Sequence, residues 1–242
     1  MRHVLALAAT ALFLSAAAGG EAKAPPLKVC LVAACEEYHS DVSLGEFRKH
    51  LESNYNVACT TVSGKDAGKG IPGIEAIRDG DVMLLFARRI TLTDEQLKCV
   101  QAYCKAGKPI VGVRTASHAF QNWLAFDKEV LGGNYQGHYG DGPKADIKIE
   151  DRAKDHPILA GFKPFASAYS LYKNTGLAGD AQVLLTGTAG GKTEPVAWTR
   201  LHNGSRIFYT SLGGPDDFKD AGFRRMLARA LFWATSRPIE GK

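Results

Sequence analysis

The chain has 242 residues, 23% of them charged, and a formal net charge of +5 at neutral pH. Its basic residues are scattered among acidic ones, without the clusters that track phosphates, so nucleic-acid binding is not suggested. Beyond Pro25 nothing is apolar for long enough to cross a membrane, which takes about 20 residues.

The N-terminus carries Arg2 and His3, an apolar run over residues 4–14 and small residues over 15–20. A short basic region, an apolar core and a small-residue exit make a secretory signal. Residues 1–24 are expected to be removed, with cleavage after Ala18 or Ala24, leaving a periplasmic or secreted protein. Residues 25–242 then suit a single domain with one large core. Five cysteines remain: Cys30, Cys35, Cys59, Cys99 and Cys104. Export permits disulfides, but an odd count leaves at least one thiol unpaired, and the connectivity is open. Cys30 and Cys59 fall in strands that can be neighbours. Cys99 and Cys104, five apart in a helix, are expected on different faces.

Residues 27–34 form an apolar run and should be the first strand. Glu36, Tyr38, His39 and Asp41 follow in a loop before a helix over about 44–53. A second strand is read at 55–62, then a glycine- and lysine-rich loop at 64–73 leading to a short helical piece. Residues 81–86 are a third, strongly apolar strand. The clearest helix follows, with Thr93 as cap, Gln96 three residues on, and Leu97, Val100 and Tyr103 at helical spacing before Gly107. Residues 110–113 are the next strand, apolar throughout as a strand buried on both faces must be. Short strands follow at 146–150 and 183–186. Two more, 194–199 and 205–211, are joined around His202-Asn-Gly204 as a hairpin. An amphipathic helix over 223–234 closes the chain. The alternation predicts a parallel core sheet with antiparallel strands added.

The most informative segment is Pro109-Ile-Val-Gly-Val-Arg-Thr-Ala-Ser-His-Ala-Phe120, where a buried strand meets a small-residue elbow. Open α/β sheets collect ligand groups at the carboxyl ends of their strands. With Asp81-Val-Met-Leu-Leu-Phe-Ala-Arg-Arg89, Leu131-Gly-Gly-Asn-Tyr-Gln-Gly-His-Tyr-Gly140, Asp155-His-Pro157, Ser170-Leu-Tyr172, Glu194-Pro-Val-Ala-Trp-Thr199 and Tyr209-Thr-Ser-Leu-Gly-Gly-Pro-Asp-Asp-Phe218, the chain resembles the ThuA-like family, named for trehalose utilisation. The resemblance implies a flavodoxin-like three-layer α/β fold with a mostly parallel central sheet and added antiparallel strands, related to class I glutamine amidotransferases. In those enzymes the elbow presents a nucleophilic cysteine. Here Arg114 or Thr115 fills that place, so thiolate glutaminase chemistry lacks its nucleophile. Family members commonly carry histidine where this chain has Gly214. The resemblance also implies a link to carbohydrate metabolism, with oxidised (keto) sugars among the substrates it suggests.

His118, in the first turn of an expected helix after the elbow, is a candidate metal ligand or proton-transfer group, or else a hydrogen-bonded helix start. His138 sits in a glycine-flanked loop where sites are often built. Tyr135 and Tyr139 beside it could form a sugar-stacking wall, or the histidine could merely pin the loop. His39 and Glu36 follow the first strand and could complete a catalytic set. His39, His118 and His138 could also hold a divalent metal, with Glu36 or Asp41 as a carboxylate, although no tight ligand spacing supports this. Arg114, emerging from a buried strand, needs a partner: Asp127, Glu194 or an anionic substrate. Tyr38, Tyr139 and Arg88 are further substrate-contact candidates, and at most one of Arg88 and Arg89 should reach a pocket. His156 is expected to brace a turn and Trp198 to pack in the core. Asp216 and Asp217 are expected to cap the last helix. No pair of carboxylates stands out as in ordinary glycoside hydrolases. The leading reading is an enzyme that hydrolyses, hydrates or isomerises a small carbohydrate. The alternative is a non-catalytic carbohydrate-binding or accessory protein.

Overall fold

The computed structural model describes residues 24–140 and 144–239. The expected signal sequence, apart from Ala24, lies outside the described residues. The elements run β1 (Leu27–Ala34), α1 (Ser40–Asn54), β2 (Val57–Ser63), β3 (Val82–Ala87), α2 (Asp94–Lys105) and β4 (Ile110–Val113). They continue with β5 (Ala145–Ile149), β6 (Ala166–Ser167), β7 (Gln182–Ala189), β8 (Lys192–His202), β9 (Ser205–Thr210) and α3 (Ala221–Ala234). All nine strands join one sheet in the order β2-β1-β3-β4-β9-β8-β7-β5-β6.

β1, β2, β3 and β4 are parallel to one another as expected, and β9 adds a fifth strand in the same sense. The other four pairings are antiparallel, so the sheet is mixed and the expectation of a mostly parallel one is corrected. Two-residue turns explain the antiparallel half. Asn203-Gly204 joins β8 to β9 and Gly190-Gly191 joins β7 to β8, with φ of 49° and 77°, and of 55° and 74°. Positive φ at both turn residues gives the twist that a tight hairpin needs, and a tight hairpin can only be antiparallel.

The parallel half is covered on both faces, which is why its strands are apolar at every position. Val29, Leu31 and Ala33 of β1 pack under α1 and α3, while Cys30, Val32 and Ala34 meet α2 and the segment over 116–131. The same alternation separates two cysteines. Val29 lies opposite Cys59, so Cys30 and Cys59 fall on opposite faces of neighbouring strands. All five cysteines are buried free thiols. Cys99 and Cys104 pack into the same layer rather than onto different faces. Thr93 caps α2, accepting from the Gln96 amide (3.3 Å). The Gln96 side chain reaches away instead of back, pairing twice with the Ile71 backbone at 2.9 Å and fastening the 64–73 loop to α2. His156 braces a turn through Nδ1, which accepts from the Ile158 amide (3.3 Å). Trp198 is a fully buried core residue whose indole donates to the Leu131 carbonyl (2.8 Å). Asp220, not Asp216 or Asp217, caps α3 by accepting from the Phe223 amide (2.8 Å).

No helix of the described residues is long and apolar enough to cross a membrane.

Candidate active site

The helix expected after β4 is absent. Arg114–His118 makes one 3-10 turn, and the chain then runs to a π-helical turn at Asp127–Leu131. Arg114 takes φ of 46°, in the left-handed region that side chains resist. Of the two elbow candidates it is therefore the one at the strained corner. Tyr209 holds the corner, its hydroxyl donating to the Arg114 carbonyl at 2.6 Å.

The Arg114 side chain turns inward and is 1% exposed. Its Nη1 donates to the Ser211 carbonyl (2.7 Å), and Nη2 to the Tyr38 hydroxyl (3.2 Å) and Ser170 Oγ (3.2 Å). The guanidinium also lies over the Tyr38 and Tyr172 rings, at 4.4 and 4.7 Å from their centroids. Aromatic faces and neutral oxygens thus carry the desolvated charge. Neither Asp127 nor Glu194 forms an ion pair with it, which corrects the expected partnership. Glu194 instead accepts from the Tyr139 hydroxyl (2.8 Å), the Asn174 amide (2.9 Å) and Thr175 Oγ1 (2.8 Å). The cage also explains Gly214. A Cβ there would lie 2.1 Å from the Tyr169 ring, which stands edge-on to Tyr38 and closes the cage. The ring occupies the space beside the position where relatives commonly carry histidine.

One step along the elbow the surroundings open. His118 is partly buried and stacks on Tyr135, with ring centroids 4.4 Å apart and planes inclined by 17°. Its Nδ1 lies 3.1 Å from Ser117 Oγ. Burial first, then the charges of Arg89, Arg88 and Arg114, hold its pKa down to about 3, so the ring is neutral at physiological pH. His118 and Tyr135 line a cavity of about 280 Å³ with Ser117, Trp123, Asp127 and Asn134.

Asp127, offered by the sequence only as an anchor for Arg114, faces this cavity. It is 6% exposed. Its Oδ2 accepts from the Tyr135 amide (2.8 Å), while the buried Oδ1 has no partner among the described residues. Burial raises the carboxyl pKa to about 6, and the Tyr135 hydrogen bond offsets only part of that. Gly133 makes the approach possible, since a Cβ there would stand 2.1 Å from Oδ1.

The other candidates are dispersed. His39 is exposed at the start of α1 with φ of 46°, and its side chain does not cap the helix. The His138 side chain is also exposed. Its loop is pinned by backbone pairing, Gln136 and Tyr139 donating to the Lys173 and Leu171 carbonyls, rather than by the imidazole. Among the described residues no three His, Cys, Asp or Glu side chains converge as metal ligands. The proposed His39–His118–His138 set therefore does not fit a metal: one ring is buried against Tyr135 and two face solvent. Glu36 lines a separate cavity of about 560 Å³ over the ends of β1 and β2, with Asp41, Lys65 and Lys69 but none of the histidines. Tyr38 belongs to the Arg114 cage. The Tyr139 hydroxyl is committed to Glu194, and Arg88 to Glu37 (2.6 Å) and Asp66 (3.0 Å). Arg89 is exposed, and its amide donates to the His118 carbonyl (2.9 Å). Asp217 accepts from the Gly213 and Gly214 amides (2.8 and 3.1 Å), fixing the turn after β9.

Solved structures share this architecture. A ThuA-like protein of Parabacteroides merdae superposes with a TM-score of 0.65 at 18% identity, covering 87% of this chain and 90% of that one. One from Bacteroides uniformis gives 0.66 at 16% identity, covering 90% and 95%. A GMP synthase component from Thermoplasma acidophilum gives 0.53 at 13% identity, covering 87% and 94%, which extends the likeness to the amidotransferase fold. No curated protein matches the chain. Residues 30–234 match the ThuA family, described as trehalose utilisation, and the chain belongs to that family.

Proposed function

We propose that the protein is an exported enzyme of carbohydrate metabolism that moves a proton beside the carbonyl of an oxidised (keto) sugar, so that the sugar isomerises. The observation that carries this reading is that one small cavity is lined by both a neutral imidazole and a carboxyl group titrating near 6. A base poised near the working pH and a neutral hydrogen-bonding imidazole are complementary groups for such a step. Asp127 would take the proton from the carbon next to the carbonyl, and His118 would hold the oxygen as negative charge develops on it. The proton would return from Asp127 to the neighbouring carbon. Glycoside hydrolysis through paired carboxylates is less well supported, because Asp127 is the only carboxylate lining the cavity among the described residues.

A non-catalytic binding role is the second reading, favoured by the Tyr169 ring that closes the space beside Gly214. Incubating keto-sugars with the protein in deuterated water separates the two. Enzyme-dependent deuterium incorporation beside the carbonyl, lost in His118→Ala and Asp127→Asn, is the expected result. Sugar binding without exchange would favour the binding role.

A further inference from the structure

Two cations beside this cavity have no work within the fold. Lys128 lines it, is exposed, and has no side-chain partner among the described residues. Arg89 leaves β3 with φ of 52°, a conformation that costs about 1 kcal/mol or more for a side chain, and its amide is bonded to His118. Its guanidinium is likewise exposed and without a partner among the described residues. The contrast with Arg88 is direct. That neighbour is tied to Glu37 and Asp66, whereas Arg89 has nothing to neutralise.

Resting on the sugar-binding reading of the cavity, we propose that its substrate is an acidic sugar, a uronate or aldonate, whose carboxylate is received by Arg89 and Lys128. The guanidinium fork matches a carboxylate in two parallel hydrogen bonds, and the lysine supplies a second point charge. A sugar phosphate fits less well. Phosphates are commonly seated on the free amides of a helix N-terminus, and the elbow leads into a 3-10 turn of five residues instead. Trp123 and Tyr135 on the cavity wall offer the apolar faces against which a sugar ring packs.

Isothermal titration with matched pairs tests this: glucose against glucuronate, galactose against galacturonate, and glucose 6-phosphate as a third arm. At least one uronate should bind about tenfold more tightly than its neutral parent, the range of a charge-assisted hydrogen bond. The advantage should shrink between about 20 and about 300 mM salt, and Arg89→Gln and Lys128→Gln should each reduce it while leaving the melting temperature unchanged. Equal affinity within every pair would overturn the acidic-sugar inference but leave the cavity reading standing. Tighter binding of the phosphate than of either uronate would overturn the choice of carboxylate. A uronate preference unaffected by Arg89→Gln would overturn the assignment of that residue. Binding by none of the sugars would overturn the cavity reading, and this inference with it.

Discussion

The two sides of the elbow after β4 differ in how their buried polar groups are satisfied. On one side Arg114 has oxygens at both terminal nitrogens, aromatic rings on its faces and almost no exposure. On the other, His118 and Asp127 border open volume, and one Asp127 oxygen is unpartnered. A completed network rigidifies a fold, whereas a polar group left open in a cavity is available to a ligand. In the sequence the arginine stands out as the reactive feature of the elbow. In the structure it is the brace for the group beside it.

Arg114→Ala should have the largest effect. It leaves the Ser211 carbonyl and Ser170 hydroxyl without their donor and opens a hole under the Tyr38 and Tyr172 rings, so a loss of about 3–5 kcal/mol is expected, measured by chemical denaturation. Gly133→Ala should cost about 1–3 kcal/mol through overpacking against Asp127 and should deform the cavity. A denaturation midpoint unchanged by either substitution would break the division between brace and site.

The pH dependence sharpens the same contrast. His118 has a folded-state pKa of about 3 against an ordinary 6.5. Its contribution to stability is present above 6.5 and is lost as pH falls toward 3. Asp127 runs the other way, at about 6 folded against 3.8. Its contribution is fully present below 3.8 and is lost as pH rises through 6. Between pH 6 and 4 the two oppose each other, each amounting to at most about 3 kcal/mol. The melting temperature of His118→Asn should therefore fall less on acidification than that of the parent, and that of Asp127→Asn should fall more. Asp127→Asn should have the smallest effect at pH 7. The amide oxygen can still accept from Tyr135 while the buried charge is removed, so the protein should be unchanged or slightly more stable. Parallel pH–melting curves for all three proteins would contradict these environments.

The parallel core is legible in the sequence because continuous burial forces continuous apolarity, and 27–34 and 110–113 need no refinement. The mixed character of the sheet is only half visible. Asn203-Gly204 reads as a hairpin, but the equally informative Gly190-Gly191 between apolar alternations is easily passed over. The elbow is found from the sequence and His118 with it, because position after a buried strand is a property of the fold. Asp127 does not read as a site residue, since nothing in Phe126-Asp127-Lys128 distinguishes a buried carboxyl from a solvated one. Its character comes from Gly133, six residues on, and from a Tyr135 amide folded back over it. A three-histidine site is a reasonable topological expectation, but strand ends fix only backbones. The imidazoles of His39 and His138 face solvent.

The claim that the ligand seats beside His118, and not in the larger cavity over β1 and β2, is tested most directly by amide chemical-shift mapping during titration with glucuronate and galacturonate. The account predicts that the perturbed amides cluster at Ser117, His118, Trp123, Asp127 and Tyr135. Perturbations confined to Glu36, Ser40 and the loop from Gly64 to Gly70 would contradict it.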